Sequence, residues 1–187
     1  MTSRRSGPTV EPAFEKYFHD DFPRVVAFLR AAGFSALDSE DAASEAMTSA
    51  YSAWTSIEHP ASWIRTAAYR VALRTCRRQR EELPRAVRGG WGHERNDHPH
   101  DDIDSRDRLV RWLKHLPDKQ RTVIALELDG FDDAGIAGIL GIQPSTVRSH
   151  RRHAYESLKE VIENEPEPPR RPPTGPRRPH RPGGEHH

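Results

Sequence analysis

The chain has 187 residues, with 29 Lys and Arg against 28 Asp and Glu, so its total charge gives no instruction about partners and only the placement of charge can. Hydrophobic residues make up 34%, which implies a thin core or a partly unfolded chain. One Cys excludes an internal disulfide framework and a CxxC site, and no run nears the roughly 18 apolar residues of a membrane span.

The start of the chain lacks the apolar run of a signal peptide, so a soluble protein of the reducing cytoplasm is expected. Phe14, Tyr17, Phe18, Phe22, Val25, Val26 and Leu29 then recur at three- and four-residue steps, predicting one helical region with Pro23 at a start or kink. Asp38 and Asp41 mark a second helix start, and Ala43, Ala46, Met47, Ala50 and Trp54 trace its buried face. Pro60 opens a third helix with a stripe of Ile64, Ala67, Ala68, Val71 and Thr75 and an outer face of Thr66, Tyr69, Arg70, Leu73 and Arg77. Residues 31–64 hold five acids and no Lys or Arg, whereas 63–80 hold six Arg and no acid. An acidic helix is followed by a basic one.

Residues 81–104 contain few apolar anchors and collect acids near their end, the composition of a flexible linker. A second block at 105–163 opens with Leu109, Val110, Leu113 and Leu116, followed by Val123, Ile124, Leu126 and Leu128. Ile136, Ile139 and Leu140 then lie on a short helix, Gly141 to Pro144 turn the chain, and a longer helix from Ser145 buries Val147, Ala154, Leu158 and Ile162. This is helix-turn-helix spacing. Residues 164–187 are rich in Pro and Arg and predict a disordered basic tail. The domains expected are 11–80 and 105–163, and the fold class all-α: two small helical domains on a flexible linker.

With Val147 inward, Ser145, Arg148, Ser149, Arg152 and Glu156 face outward on the last helix, and Arg there suits the guanine edges of a major groove. The plainer reading is a solvated helix of a small bundle. The basic helix at 63–80 interleaves Arg with Trp63 and Tyr69, which suits unpaired nucleic acid, although alone it would more often be a charged surface. His93, Asp97, His98, His100, Asp101, Asp102 and Asp104 match no tetrahedral metal spacing, so neither metal nor cofactor is expected. Cys76 lies beside Arg77 and Arg78, a setting that lowers a thiol pKa, but no catalytic partner accompanies it. No phosphate loop or nucleophile elbow occurs, and nothing argues for an enzyme.

The segments FEKYFHDDFPRVVAFL, DSEDAASEAMTSAYSAW, HPASWIRTAAYRVALRTCRRQR and LPDKQRTVIALELDGFDDAGIAGILGIQPSTVRSHRRHAYESL, in that order, resemble the extracytoplasmic-function class of RNA polymerase sigma factors. The resemblance implies that the first block is sigma region 2 and the second region 4. It implies that Glu40, Asp41, Ser44, Glu45 and Thr48 bind the clamp helices of the core polymerase. It implies that Ser56, Ile57, Glu58, His59, Arg65, Tyr69, Arg70, Arg74 and Arg77 meet the −10 promoter element. It implies that Ser145, Thr146, Arg148, Ser149 and Arg152 read the −35 element, with Lys119 and Arg121 on phosphates. The implied partners are core RNA polymerase, through its clamp helices and flap, promoter DNA and an anti-sigma factor, with no membrane insertion. Ser44, Arg70 and Gly135 stand where the family commonly has Gln, Asn and Glu, and Arg151 stands at an apolar position, its head expected at solvent or phosphate. The alternative function is a stand-alone helix-turn-helix regulator.

Overall fold

The computed structural model describes residues 12–82 and 105–164. Among them seven α-helices follow in order: α1 (Pro12–Ala31), α2 (Ala36–Ala53), α3 (Pro60–Glu82), α4 (Ser105–Lys114), α5 (Asp118–Leu128), α6 (Asp133–Leu140) and α7 (Pro144–Glu163). A 3-10 turn, Trp54–Ser56, lies between α2 and α3, and no strand occurs among the described residues. The body of the expected linker, with its His and Asp residues, and the tail beyond Asn164 lie outside the described residues.

In α1, Pro23 removes one backbone donor, which costs about 3 kcal/mol in a helix interior. The helix nevertheless runs through it without a break, held on both sides by the buried Phe14, Val25, Phe28 and Leu29. It ends in a Schellman turn: Phe34 N–H bonds Leu29 O, Gly33 N–H bonds Arg30 O, and Gly33 takes φ 104°. Ser35, and not the expected Asp38, caps α2, its hydroxyl oxygen accepting from Asp38 N–H at 3.1 Å while Asp38 reinforces the first turn. Ala42, Ala43, Ala46, Met47 and Ala50 form the buried face of α2. These small side chains let α2 lie close against Ile64, Ala68 and Ala72 of α3.

The second unit is organised by α5, whose Arg121 through Leu126 are all buried. Ile124 joins Leu113 and Leu116 of the α4 end with Ala154 and Leu158 of α7 in a small cluster. Val123, Ala125 and Leu126 instead point the other way, into the core of the first unit, together with Ile136, Ile139 and Val147. The two helical units therefore share one continuous core, with α5 packed on α1 and α6 on α3.

The helix-turn-helix is α6, a short turn and α7. Asp132 caps α6 by accepting from Gly135 N–H at 2.8 Å, and Gly141, at φ 68°, supplies the left-handed residue that reverses the chain. Pro144 occupies the first turn of α7, where its missing N–H costs nothing, and Gln143 precedes it without a side-chain cap. The helix thus begins one residue before Ser145, which lies inside its first turn.

Candidate nucleic-acid interface

Ser145, Arg148, Ser149 and Arg152 are exposed along one side of α7, and Thr146 is half-buried next to Val147. Arg152 lies 3.9 Å from Glu156, and Arg148 lies 3.8 Å from Asp133, long distances that leave both guanidinium groups available. Arg151, expected to reach solvent or phosphate, keeps 29% side-chain exposure but is tied to carboxylates. It makes two bonds to Asp133 of α6, at 2.6 and 3.3 Å, and lies 3.7 Å from Glu127 of α5. Tyr155 donates to the same Glu127 at 3.0 Å, and burial together with that bond raises its pKa. The exposed face of α7 is thus anchored from behind to both preceding helices.

Lys119 is exposed, but Arg121 is only 4% exposed and is removed from the phosphate contacts. Its guanidinium donates to Leu113 O at 2.8 Å, Lys114 O at 3.1 Å and Leu116 O at 2.7 Å, satisfying carbonyls that α4 leaves open at its end. Burial lowers its pKa, partly offset by Asp118.

The residues expected at the −10 element divide into two groups. Ser56, Glu58, His59, Arg70, Arg74 and Arg77 are exposed and Ile57 half-buried, with Arg74 paired to Glu45 at 2.8 Å. A cleft of about 760 Å³ runs between this surface and α6, lined by Glu58, His59, Trp63 and Arg70 on one wall and by Gly135 and Gly138 on the other. Tyr69 faces inward instead, half-buried against Phe28 and Phe34, and burial raises its pKa. Arg65 is 1% exposed. In this conformation Arg65 is closed to solvent and Tyr69 is only partly exposed.

Arg65 forms the polar centre of the molecule. Its guanidinium donates to Asp21 of α1, and to Asp129 at the end of α5 through Nε at 2.7 Å and Nη2 at 3.2 Å. Burial by itself would lower its pKa; the two carboxylates outweigh burial and hold it above the ordinary Arg value. Phe131 lies under the guanidinium at 5.8 Å from its ring centre, and Arg24 braces the far side of Asp129, donating to its backbone oxygen at 3.0 Å. The pattern of residues did carry a signal for this centre. Asp21 repeats with Val25, Phe28 and Ala32 on one apolar stripe, and Arg65 with Ala68 and Ala72 on another.

Glu40, Asp41, Ser44, Glu45 and Thr48 are all exposed on α2, opposite its alanine face. Ser44 and Thr48 turn their hydroxyls back onto Glu40 O and Ser44 O, at 2.8 and 2.9 Å, so the carboxylates dominate this surface. Cys76 has a raised thiol pKa, from burial and from Asp38, the reverse of the effect expected from its Arg neighbours. Among the described residues no group of His, Cys, Asp and Glu is placed to hold a metal ion, and no helix is long and apolar enough to cross a membrane.

Residues 106–158, the stretch that contains the helix-turn-helix and its anchors, match the family described as Sigma-70, region 4. This stretch is a sigma-70 region 4 module. The fold of the chain as a whole is similar to the sigma factor RpoE of Bartonella quintana, solved with the anti-sigma factor NepR, at a TM-score of 0.70 and 21% identity over 83% of this chain and all of that one. It is also similar to CnrH, solved with the cytosolic domain of CnrY, at a TM-score of 0.59 and 18% identity over 82% of this chain and 90% of that one. No curated protein sequence matches the chain. Region 4 accounts for α4 to α7, and the all-α arrangement of α1 to α3 before it completes the sigma-factor fold.

Proposed function

We propose that the chain is a sigma factor of the extracytoplasmic-function type: it binds core RNA polymerase, directs it to promoters through −10 and −35 elements, and acts as a regulatory DNA-binding protein of the cytoplasm without enzymatic activity. The observation that carries this reading is the region 4 module joined to a unit bearing an acidic exposed face on α2 and exposed Arg on α3. On this reading α2 meets the polymerase clamp helices through Glu40, Asp41, Ser44, Glu45 and Thr48. The loop Ser56–His59 with Arg70, Arg74 and Arg77 meets the −10 element. Ser145, Thr146, Arg148, Ser149 and Arg152 meet the −35 element, where Arg forks reach base edges and hydroxyls hold phosphate. An anti-sigma factor is the regulatory partner, supported by the two similar folds having been solved as complexes.

Run-off transcription with and without core polymerase tests the proposal on templates recovered by selection from random promoter libraries. A transcript that requires both proteins is the expected result. Tight, sequence-specific duplex binding by the chain alone, with no core-dependent transcript, would instead establish the stand-alone regulator.

A further inference from the structure

The cleft of about 760 Å³ between α3 and α6 falls within the range of about 300–1,000 Å³ that small-molecule sites occupy. One wall is a single face of α3, on which Trp63 and Arg70 stand seven residues apart, so two turns and about 10 Å of helix axis separate an aromatic ring from a guanidinium. Trp63 is 37% exposed, and Glu58, in the turn that leads into α3, adds a carboxylate at the Trp63 end. Among the described residues neither Arg70 nor Glu58 has an ion-pair partner. On the opposite wall Gly135 and Gly138 carry no side chains, and a Cβ at Gly138 would meet nothing within 4 Å. Two of these positions depart from the sigma-factor pattern in the same electrostatic sense: Arg70 in place of Asn adds a cation, and Gly135 in place of Glu removes an anion. An accessible ring, an uncompensated guanidinium and a carboxylate, spaced along one open-walled cleft, are the groups that would hold the base plane, the phosphate and the base edge of a nucleotide.

We propose that this cleft binds a guanine nucleoside diphosphate. The base stacks on Trp63, and Arg70 takes the terminal phosphate in a two-pronged, charge-assisted hydrogen bond. The two-turn spacing selects a ligand long enough to reach both groups at once. Glu58 selects the base: its carboxylate offers two acceptors, which the adjacent N1–H and N2 amine of guanine match, whereas adenine sets an unprotonated N1 beside its single amine. The site rests on the cleft itself and not on the promoter reading, although Glu58 and Arg70 serve both.

The test titrates the full chain calorimetrically with GDP, ADP, guanosine and pyrophosphate in magnesium-free buffer. GDP should bind saturably, with ADP and guanosine each at least about tenfold weaker, the scale of one charge-assisted hydrogen bond. Arg70→Gln should weaken GDP by about the same factor. Gly138→Leu fills the cleft from α6 and should abolish GDP binding without lowering the unfolding midpoint, because the new side chain enters open space and glycine is the weaker helix former. No saturation by GDP at millimolar concentration overturns the site, as does parental GDP affinity in either variant. Pyrophosphate bound as tightly as GDP shows an adventitious polyanion contact only and overturns it too, while equal affinities for GDP and ADP overturn the guanine assignment. Should Gly138→Leu lose helicity, Arg70→Gln, a change at an exposed side chain, decides alone. Core-dependent run-off by the parent chain judges the promoter reading separately, so either can fail without the other.

Discussion

Tyr17 donates its hydroxyl hydrogen to Asp21 Oδ2 at 2.7 Å, and that same oxygen receives the Arg65 guanidinium. The phenol is therefore held in its neutral form: burial, the bond to Asp21 and the charge of Asp21 together raise its pKa well above the ordinary tyrosine value, and Arg65 only partly opposes them. A group whose folded pKa is raised stabilises the fold fully below its unfolded pKa and loses that contribution as pH climbs toward the folded value. Tyr69 and Tyr155 are shifted in the same direction. Thermal unfolding should thus stay flat toward pH 10 and fall steeply above it. Tyr17→Phe should cost about 1 kcal/mol at neutral pH and make the alkaline fall shallower. An identical alkaline profile in the variant would remove Tyr17 from the account.

Arg121 is a structural residue on this geometry, and its replacement separates that role from a DNA contact. Arg121→Ala removes the side-chain donor from Lys114 O and Leu116 O and leaves Leu113 O with Leu116 N–H alone, at about 1–3 kcal/mol for each carbonyl that stays buried and unsatisfied. Urea unfolding should show a loss of at least about 2 kcal/mol. Arg121→Lys should recover little of it, because an ammonium cannot span the three acceptors with the geometry of a planar fork. Unchanged stability together with weakened DNA binding would restore the phosphate assignment. Gly33 gives a second test of the same packing, since a Cβ there would overlap the Arg121 guanidinium.

Two neighbouring arginines of α7 should behave differently. Arg152→Ala should cost about 1–3 kcal/mol of −35 duplex binding and relax selectivity at one position, leaving the unfolding midpoint in place. Arg151→Ala should lower the midpoint as well, because Asp133 and Glu127 lose their shared cation. Paired electrophoretic-shift and melting measurements on both variants decide this; equal melting temperatures would show that the Arg151 network contributes nothing to holding α7.

Glu45→Arg reverses charge in the middle of the exposed α2 face and should weaken assembly with core polymerase by at least about tenfold, with region 4 binding to a −35 duplex unchanged. Sedimentation or fluorescence anisotropy with purified core reads the first quantity. Assembly at the parental affinity would move the polymerase contact off this face.

The helix faces of α2 and α7 were legible in the sequence because each is set by local periodicity: Ala43, Ala46, Met47 and Ala50 on one, Val147, Ala154 and Leu158 on the other; Ile162, expected on the same α7 face, is exposed because the helix there has run past the core. The register of Arg65 with Ala68 and Ala72 marked its burial, but its partners, and the burial of Arg121, were not legible, for two different reasons. Arg65 finds its partners 44 and 64 positions away, and no spacing within α3 can reveal an acid on another helix. Arg121 lies on a helix buried all round, where the usual inference that charge marks the wet face fails because α5 has no wet face along that stretch. The Tyr69 ring was misplaced for a related reason: three- and four-residue steps assign it outward, but the outer side of α3 there is covered by α1 and the turn after it.

The exposed pair between Glu45 and Arg74 joins a carboxylate on the acidic face to a guanidinium on the basic one. Each therefore serves as the other's counterion. A protein that captures Glu45 leaves Arg74 uncompensated and more attractive to a polyanion, and by thermodynamic reciprocity a polyanion on Arg74 makes Glu45 more attractive to that protein. A solvent-exposed pair of this kind is worth at most about 1 kcal/mol, so the cooperativity it transmits is limited to about fivefold. It is a small bias toward filling both surfaces together, present before either ligand arrives.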